Sequence, residues 1–177
     1  NLVNALIDEA IDTPGALPLL SFTLSELYLK YLSAEENGTR DDRTITQADY
    51  EQLGGVARSL TQAADKTYRK LVKQKINFSI IRNIMLRMIS FNSGELTRRK
   101  VPTSELVYPE PVNQQVQRVI EGFVAARLLT AGLDAEGQEY VEPVHDALVT
   151  GWQTLLIWKQ KKEASLLLQR RLTPAAQ

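Results

Sequence analysis

The sequence predicts a mainly helical fold with a β-hairpin in its second half. Three observations carry that prediction. Apolar residues recur at spacings of three and four over most of the chain, as one buried face of an α-helix requires. Strand-like patterning is confined to short stretches around residues 96–101 and 128–144. Gly-rich and Asn/Ser-rich breaks, Gly54-Gly55 and Asn92-Ser93-Gly94 among them, cut the helical pattern into separate segments.

The first segment is a helix on Leu2, Val3, Leu6, Ile7 and Ala10, stopped by the turn residues Asp12-Thr13-Pro14-Gly15. A second helix starts near Leu17, with Pro18 in its first turn, where no N–H is needed. Its apolar stripe reads as Leu20, Leu24, Leu27, Tyr28 and Tyr31. Ser33 to Arg43 is polar and reads as a surface loop. Thr46 is placed as the N-cap of a short helix through Tyr50 and Leu53, which Gly54-Gly55 ends. Val56, Leu60, Ala63, Ala64, Tyr68, Leu71 and Val72 then form another amphipathic helix. Residues 1–74 are therefore expected to be a small, lid-like helical domain.

The pattern changes after that. Phe78, Ile81, Ile84, Met85 and Met88 predict a strongly apolar helix closed by Asn92-Ser93-Gly94. Leu96 to Val101 is short enough for a strand, and Thr103 to Leu106 for a turn or two of helix after Pro102. Val112, Val116, Val119, Ile120 and Phe123 place a helix over about 111–126. Leu128-Leu129-Thr130 and Glu139 to Val144 flank Gly132, Asp134 and Gly137, which signals a hairpin. That order matches a winged-helix domain over 75–145, with the hairpin as its wing. A long C-terminal helix or linker takes up 146–177, its helical part running from about 146 to 171.

The 177 residues suffice for one large domain or two small ones. A hydrophobic fraction of 44% supports a core, and a formal net charge of zero argues against a dedicated nucleic-acid binder. Without cysteine and with a single histidine, the chain offers no disulfide, no thiolate site and no ordinary zinc site. No apolar run approaches the roughly 20 residues of a membrane span, and a cytoplasmic setting is expected. Beginning at Asn1 inside a helical pattern, the chain reads as a piece of a larger protein.

Val144-His145-Asp146-Ala147-Leu148 holds that one histidine between a predicted strand and a predicted helix. The imidazole there can either satisfy a buried polar contact or face an anion such as a phosphate. A DNA-binding reading of the winged helix would use Asn113, Gln114, Gln115, Gln117, Arg118 and Arg127 against base edges. Glu110 and Glu121 on the same segment oppose it, and the Arg98-Arg99-Lys100 run is equally explained as a solvated strand edge. Catalysis has no visible centre. Gly54-Gly55 lacks the Lys and Ser/Thr of a phosphate loop, and no serine sits in a nucleophile elbow. A helical interaction domain with no nucleotide role is the plainest alternative.

Four stretches, in this order, resemble the STAND-type NTPases, signal-transduction ATPases related to NACHT and NB-ARC proteins. They are Asp12 to Leu20, Leu53 to Ala57, Arg98 to Pro102, and Val144 to Leu148 with Trp152 and Trp158. The likeness is closest to the bacterial group whose chains often end in WD repeats, and it covers essentially the whole chain. It implies that Pro18, from a Gly-x-Pro motif present here as Ala16-Leu17-Pro18, packs against adenine. It implies that His145, from a Met-His-Asp motif present here as Val144-His145-Asp146, contacts the β-phosphate of ADP. The Walker sequences would lie upstream of Asn1, so the fragment would be no enzyme by itself. ADP or ATP would bind only together with that NTPase core. The expected role is regulatory. ADP holds the protein closed against the upstream core, and exchange for ATP frees it to oligomerise and signal through a downstream sensor domain.

Overall fold

The computed structural model describes residues 1–11, 16–39, 42, 44–92 and 94–172. Among them are eight α-helices and two small antiparallel sheets, so the chain is mainly helical. The expected turn at Asp12-Thr13-Pro14-Gly15 lies outside the described residues, as do Arg40, Asp41 and Arg43 of the expected loop and Ser93 of the expected helix stop. Contacts divide the chain into two compact units, Asn1–Ala64 and Asp65–Gln177.

The first unit contains α1 (Leu2–Ile11), α2 (Ala16–Glu36), α3 (Gln47–Leu53) and the beginning of α4 (Gly55–Lys73). α2 packs against both α1 and α3. It runs further than the sequence suggests, taking in the first residues of the expected loop after Ser33. Its buried stripe also differs from the expected one. Ala16, Leu19, Phe22, Thr23 and Leu27 face inward, whereas Leu24 and Tyr28 are 44% and 55% exposed. The displaced register is compatible with Thr23, a polar residue on the inner face, because that side chain is satisfied there. Its Oγ1 lies 2.8 Å from the Leu19 carbonyl oxygen and 2.8 Å from Ser59 Oγ, so its hydroxyl is buried at no loss of hydrogen bonding.

Thr46 caps α3 as expected. Its hydroxyl accepts from the Asp49 N–H at 3.3 Å, and the Asp49 carboxylate accepts from the Thr46 N–H at 2.8 Å, a reciprocal capping box. The break after α3 needs both glycines, since Gly54 and Gly55 have φ of 80° and 78°. A Cβ on Gly55 would also stand 2.7 Å from Glu9 Oε2. Glu9 in turn accepts a short hydrogen bond from the Tyr50 hydroxyl.

The second unit continues α4 and adds α5 (Phe78–Arg87), β1 (Ile89–Asn92), β2 (Glu95–Arg98), β3 (Val101–Pro102) and a 3₁₀ turn (Thr103–Leu106). Then come α6 (Val112–Ala125), β4 (Leu129–Leu133), β5 (Glu139–Pro143), α7 (Asp146–Gly151) and α8 (Gln153–Leu172). β1 and β2 form an antiparallel pair in which Ile89 faces Arg98. The other sheet has the order β3-β5-β4, with Val101 paired to Val141 and Leu129 to Pro143.

Three expectations are corrected here. Residues 89–92 are a strand rather than the end of the apolar helix, because Asn92 pairs back with Glu95, with φ of 86° at Gly94. The single strand expected over 96–101 serves two sheets, its ends separated by Arg99 and Lys100. The long helix expected from about 146 is broken at Trp152, whose ψ of 102° is extended. That break drives the Trp152 indole fully into the core, where it meets Phe123 at 5.9 Å and Trp158 at 5.5 Å between ring centroids. α5 packs on α6 and α8, and α6 packs on β4.

Candidate functional site

His145 lies one residue beyond β5, after Val144, and caps α7. Its backbone is extended, with φ −153° and ψ 149°, and its Nδ1 accepts the Ala147 N–H at 3.0 Å. A neutral ring that accepts at Nδ1 carries its proton on Nε2. The ring is partly buried. Of the two alternatives left by the sequence, the satisfied local contact is present at Nδ1. Only six residues of helix stand behind this cap, so the expected dipole of a long helix reduces to the N–H groups of α7's first turn.

The segment around His145 is held by Arg98, at the end of β2. Arg98 Nη1 donates to the carbonyl oxygens of Pro143 and Val144 at 3.0 and 2.9 Å. The Arg98 backbone N–H donates to Asp146 Oδ1 at 2.8 Å. The Val144 N–H donates to the Leu128 carbonyl at 3.1 Å, continuing the β4–β5 hairpin to the residue before the histidine. The basic run is therefore no simple solvated edge, because each of its cations has a separate partner. Arg99 makes a bidentate pair with Glu105 at 2.9 and 2.6 Å. Those hydrogen bonds hold the Glu105 carboxyl below its ordinary range, against the opposing effect of burial, with the nearby charges of Arg99 and Arg87 adding to the shift. Lys100 Nζ sits 4.0 Å from the centroid of the Tyr140 ring. Sequence reasoning missed Arg98. The available signal was a cation at the end of a strand, but only the fold brings it to residues 45 to 48 positions further on.

Pro18 lies in the first unit, in the first turn of α2 as expected. It is exposed, next to Leu17 at 78% exposure, while Ala16 and Leu19 on either side are buried. The two predicted site residues thus belong to different units, each sitting at the beginning of a helix. The recurrent tryptophans have a structural place. Trp152 Nε1 donates to Asp65 Oδ1 at 2.8 Å, Thr154 donates to the same oxygen at 3.1 Å, and Trp158 packs edge-on to Tyr68 at 5.3 Å.

Two residues named for base reading are used inside the second unit. Asn113 Oδ1 accepts from the Tyr108 N–H at 3.3 Å, and Gln115 Oε1 from the Asn77 N–H at 3.0 Å. That weakens the DNA-binding alternative, since direct readout needs those side chains for base edges. Among the described residues there is no group of three His, Cys, Asp or Glu side chains placed to hold a metal ion. Nor is any described helix long and apolar enough to cross a membrane.

The described residues thus form a mainly helical chain with a capped His-Asp junction after a hairpin. The family comparison agrees with the class read from the sequence: the model for Novel STAND NTPase 1 matches residues 1–177. The chain belongs to that family. No curated protein and no solved structure gives a significant match.

Proposed function

We propose that this chain is the nucleotide-sensing, regulatory part of a STAND-type signalling ATPase, helping to hold ADP in a closed state. The observation that carries the reading is the hydrogen bond from the Ala147 N–H to His145 Nδ1, which holds the imidazole at the start of α7 and, in a neutral ring, puts its proton on Nε2. Exposed Pro18, on the first turn of α2, offers a flat apolar ring suited to a purine face. Two such contacts are too few to hold a nucleotide tightly, so ADP or ATP binds only together with an NTPase core carrying the phosphate loop. The succession of α5, the 3₁₀ turn, α6 and the β4–β5 hairpin is read as a winged helix that this contact ties to the core. Exchange of ADP for ATP releases it, permitting oligomerisation and output through other domains of the same protein in the cytoplasm.

A contact of about 1.5–3 kcal/mol supplies only part of the roughly 5.5 kcal/mol that moves a population from 1:99 to 99:1. Domain packing supplies the rest. The test must separate capping from nucleotide contact, because His145→Ala removes both. His145→Asn keeps a side-chain oxygen at the cap and loses the Nε2 donor. In the protein with its NTPase core, this variant is expected to bind ADP about tenfold more weakly, equivalent to about 1.4 kcal/mol, with little change in melting temperature. Unchanged ADP affinity refutes the reading. The 177-residue chain alone is expected neither to hydrolyse ATP nor to bind it tightly. Micromolar or tighter binding by calorimetry would contradict that.

A further inference from the structure

We propose that Arg98 is a positioning residue that sets the ring orientation and tautomer of His145, making the β1–β2 hairpin a determinant of the nucleotide contact. The geometry lies on both sides of the histidine. One guanidinium nitrogen bridges the two carbonyls that precede it, Pro143 and Val144, while the main-chain N–H of the same arginine holds the carboxylate that follows it, Asp146. The histidine between these anchors is extended, the usual conformation of an N-cap, and in it Nδ1 meets the Ala147 N–H. Without the carbonyl bridge, the peptide units before His145 can rotate, the cap loosens, and the proton is no longer directed to Nε2.

Arg98 belongs to an element far from His145 in sequence, so its hold on that segment is tertiary. β2 ends at Arg98, where Ile89 is its paired residue on β1, and its pairing is continued inward by a Ser90–Thr97 hydroxyl contact of 3.0 Å. Displacement of this hairpin therefore moves the bridging guanidinium. Arg98 is itself exposed and touches the His145 ring in none of these bonds, so it acts through the main chain.

The consequence for ADP rests on the function proposed above, whereas the consequence for the ring does not. Because the chain has one histidine, its imidazole nitrogens give a single pair of ¹⁵N signals in the 177-residue protein. The wild-type chain should show one protonated nitrogen and one bare acceptor, assigned to Nε2 and Nδ1 respectively. Arg98→Ala keeps the main-chain bond to Asp146 and should shift both signals towards the average of the two tautomers while thermal unfolding stays cooperative. Arg98→Lys keeps the charge but not the planar fork, and should move the signals in the same direction by a smaller amount. In the protein with its NTPase core, Arg98→Ala should weaken ADP binding about two- to tenfold, the range for loss of one ordinary hydrogen bond. Wild-type ring signals in folded Arg98→Ala overturn the proposal, and if that variant does not fold, wild-type signals in Arg98→Lys do so. Should His145→Asn leave ADP affinity unchanged while Arg98→Ala still shifts the ring signals, the nucleotide reading fails and the positioning role stands.

Discussion

Helix α2 of the first unit and the segment 144–152 of the second bury their polar groups in opposite ways. In α2, Thr23 is satisfied by the carbonyl one turn earlier and by Ser59, so a helix with a polar residue on its inner face still packs. In 144–152, the short helix α7 lies between two extended residues, His145 and Trp152, and the segment is held by partners far away in sequence, Arg98 and Asp65. The contrast extends to the apolar residues. Val3, Ile7 and Ile11, at four-residue spacing on α1, are 57%, 49% and 75% exposed. The second unit instead buries Phe123 and Trp152 completely and leaves Trp158 at 9% exposure. Regular helices can thus be correctly placed while the face they bury remains open, whereas an irregular junction is determined only by what it meets.

The largest effect should come from the second unit. Trp152→Ala removes an indole packed against Phe123 and Trp158 and takes from Asp65 one of its two donors. A loss of about 3–5 kcal/mol is expected by chemical denaturation. The fluorescence of Trp158, then the only remaining tryptophan, follows the second unit alone. A loss below about 1 kcal/mol would mean that the break before α8 is not set by the buried indole.

The register of α2 gives the next effect. Leu27 is 1% exposed and Leu24 is 44% exposed, though the sequence places both on one stripe. Leu27→Ala should cost about 2–5 kcal/mol, while Leu24→Ala should stay within about 0.5 kcal/mol. Similar losses for both would restore the stripe read from the sequence.

The smallest effect separates the units by pH. Burial, and then the hydrogen bond to Glu9, push the Tyr50 phenol up to about 12. A phenol raised above its unfolded value of about 10 favours folding while it is protonated. That contribution is complete below about pH 10 and is lost as pH rises through about 12. Circular dichroism should therefore show stability falling over this window, and Tyr50→Phe should flatten that part of the profile. An unchanged slope in Tyr50→Phe would show that another group titrates there.

Much of the architecture was legible because it is written in local rules. The Thr46 cap, the Gly54-Gly55 break, Pro18 in a first turn and the hairpin around Gly137 each depend on residues within a few positions of one another. The position of His145 at the end of a strand was legible for the same reason. What the residues could not indicate was which of its nitrogens is the acceptor, because that depends on the direction of the Ala147 N–H in the folded chain.

By itself, the sequence determined some helix limits, the Thr46 cap and the Gly54-Gly55 break among them, that the chain is mainly helical, and that one histidine stands at a strand-to-helix junction. Periodicity and capping act over one or two turns, so they survive without knowledge of the fold. Only the tertiary structure decided that residues 89–92 leave the helix for a strand, that α2 buries Thr23 in place of Leu24, and that the C-terminal helix breaks at Trp152. It alone brought Arg98 to the carbonyls before His145. Each of these is a choice between locally similar alternatives, settled by a partner outside the segment: a strand opposite, a hydroxyl on another helix, an aromatic core, a pair of carbonyls before the histidine.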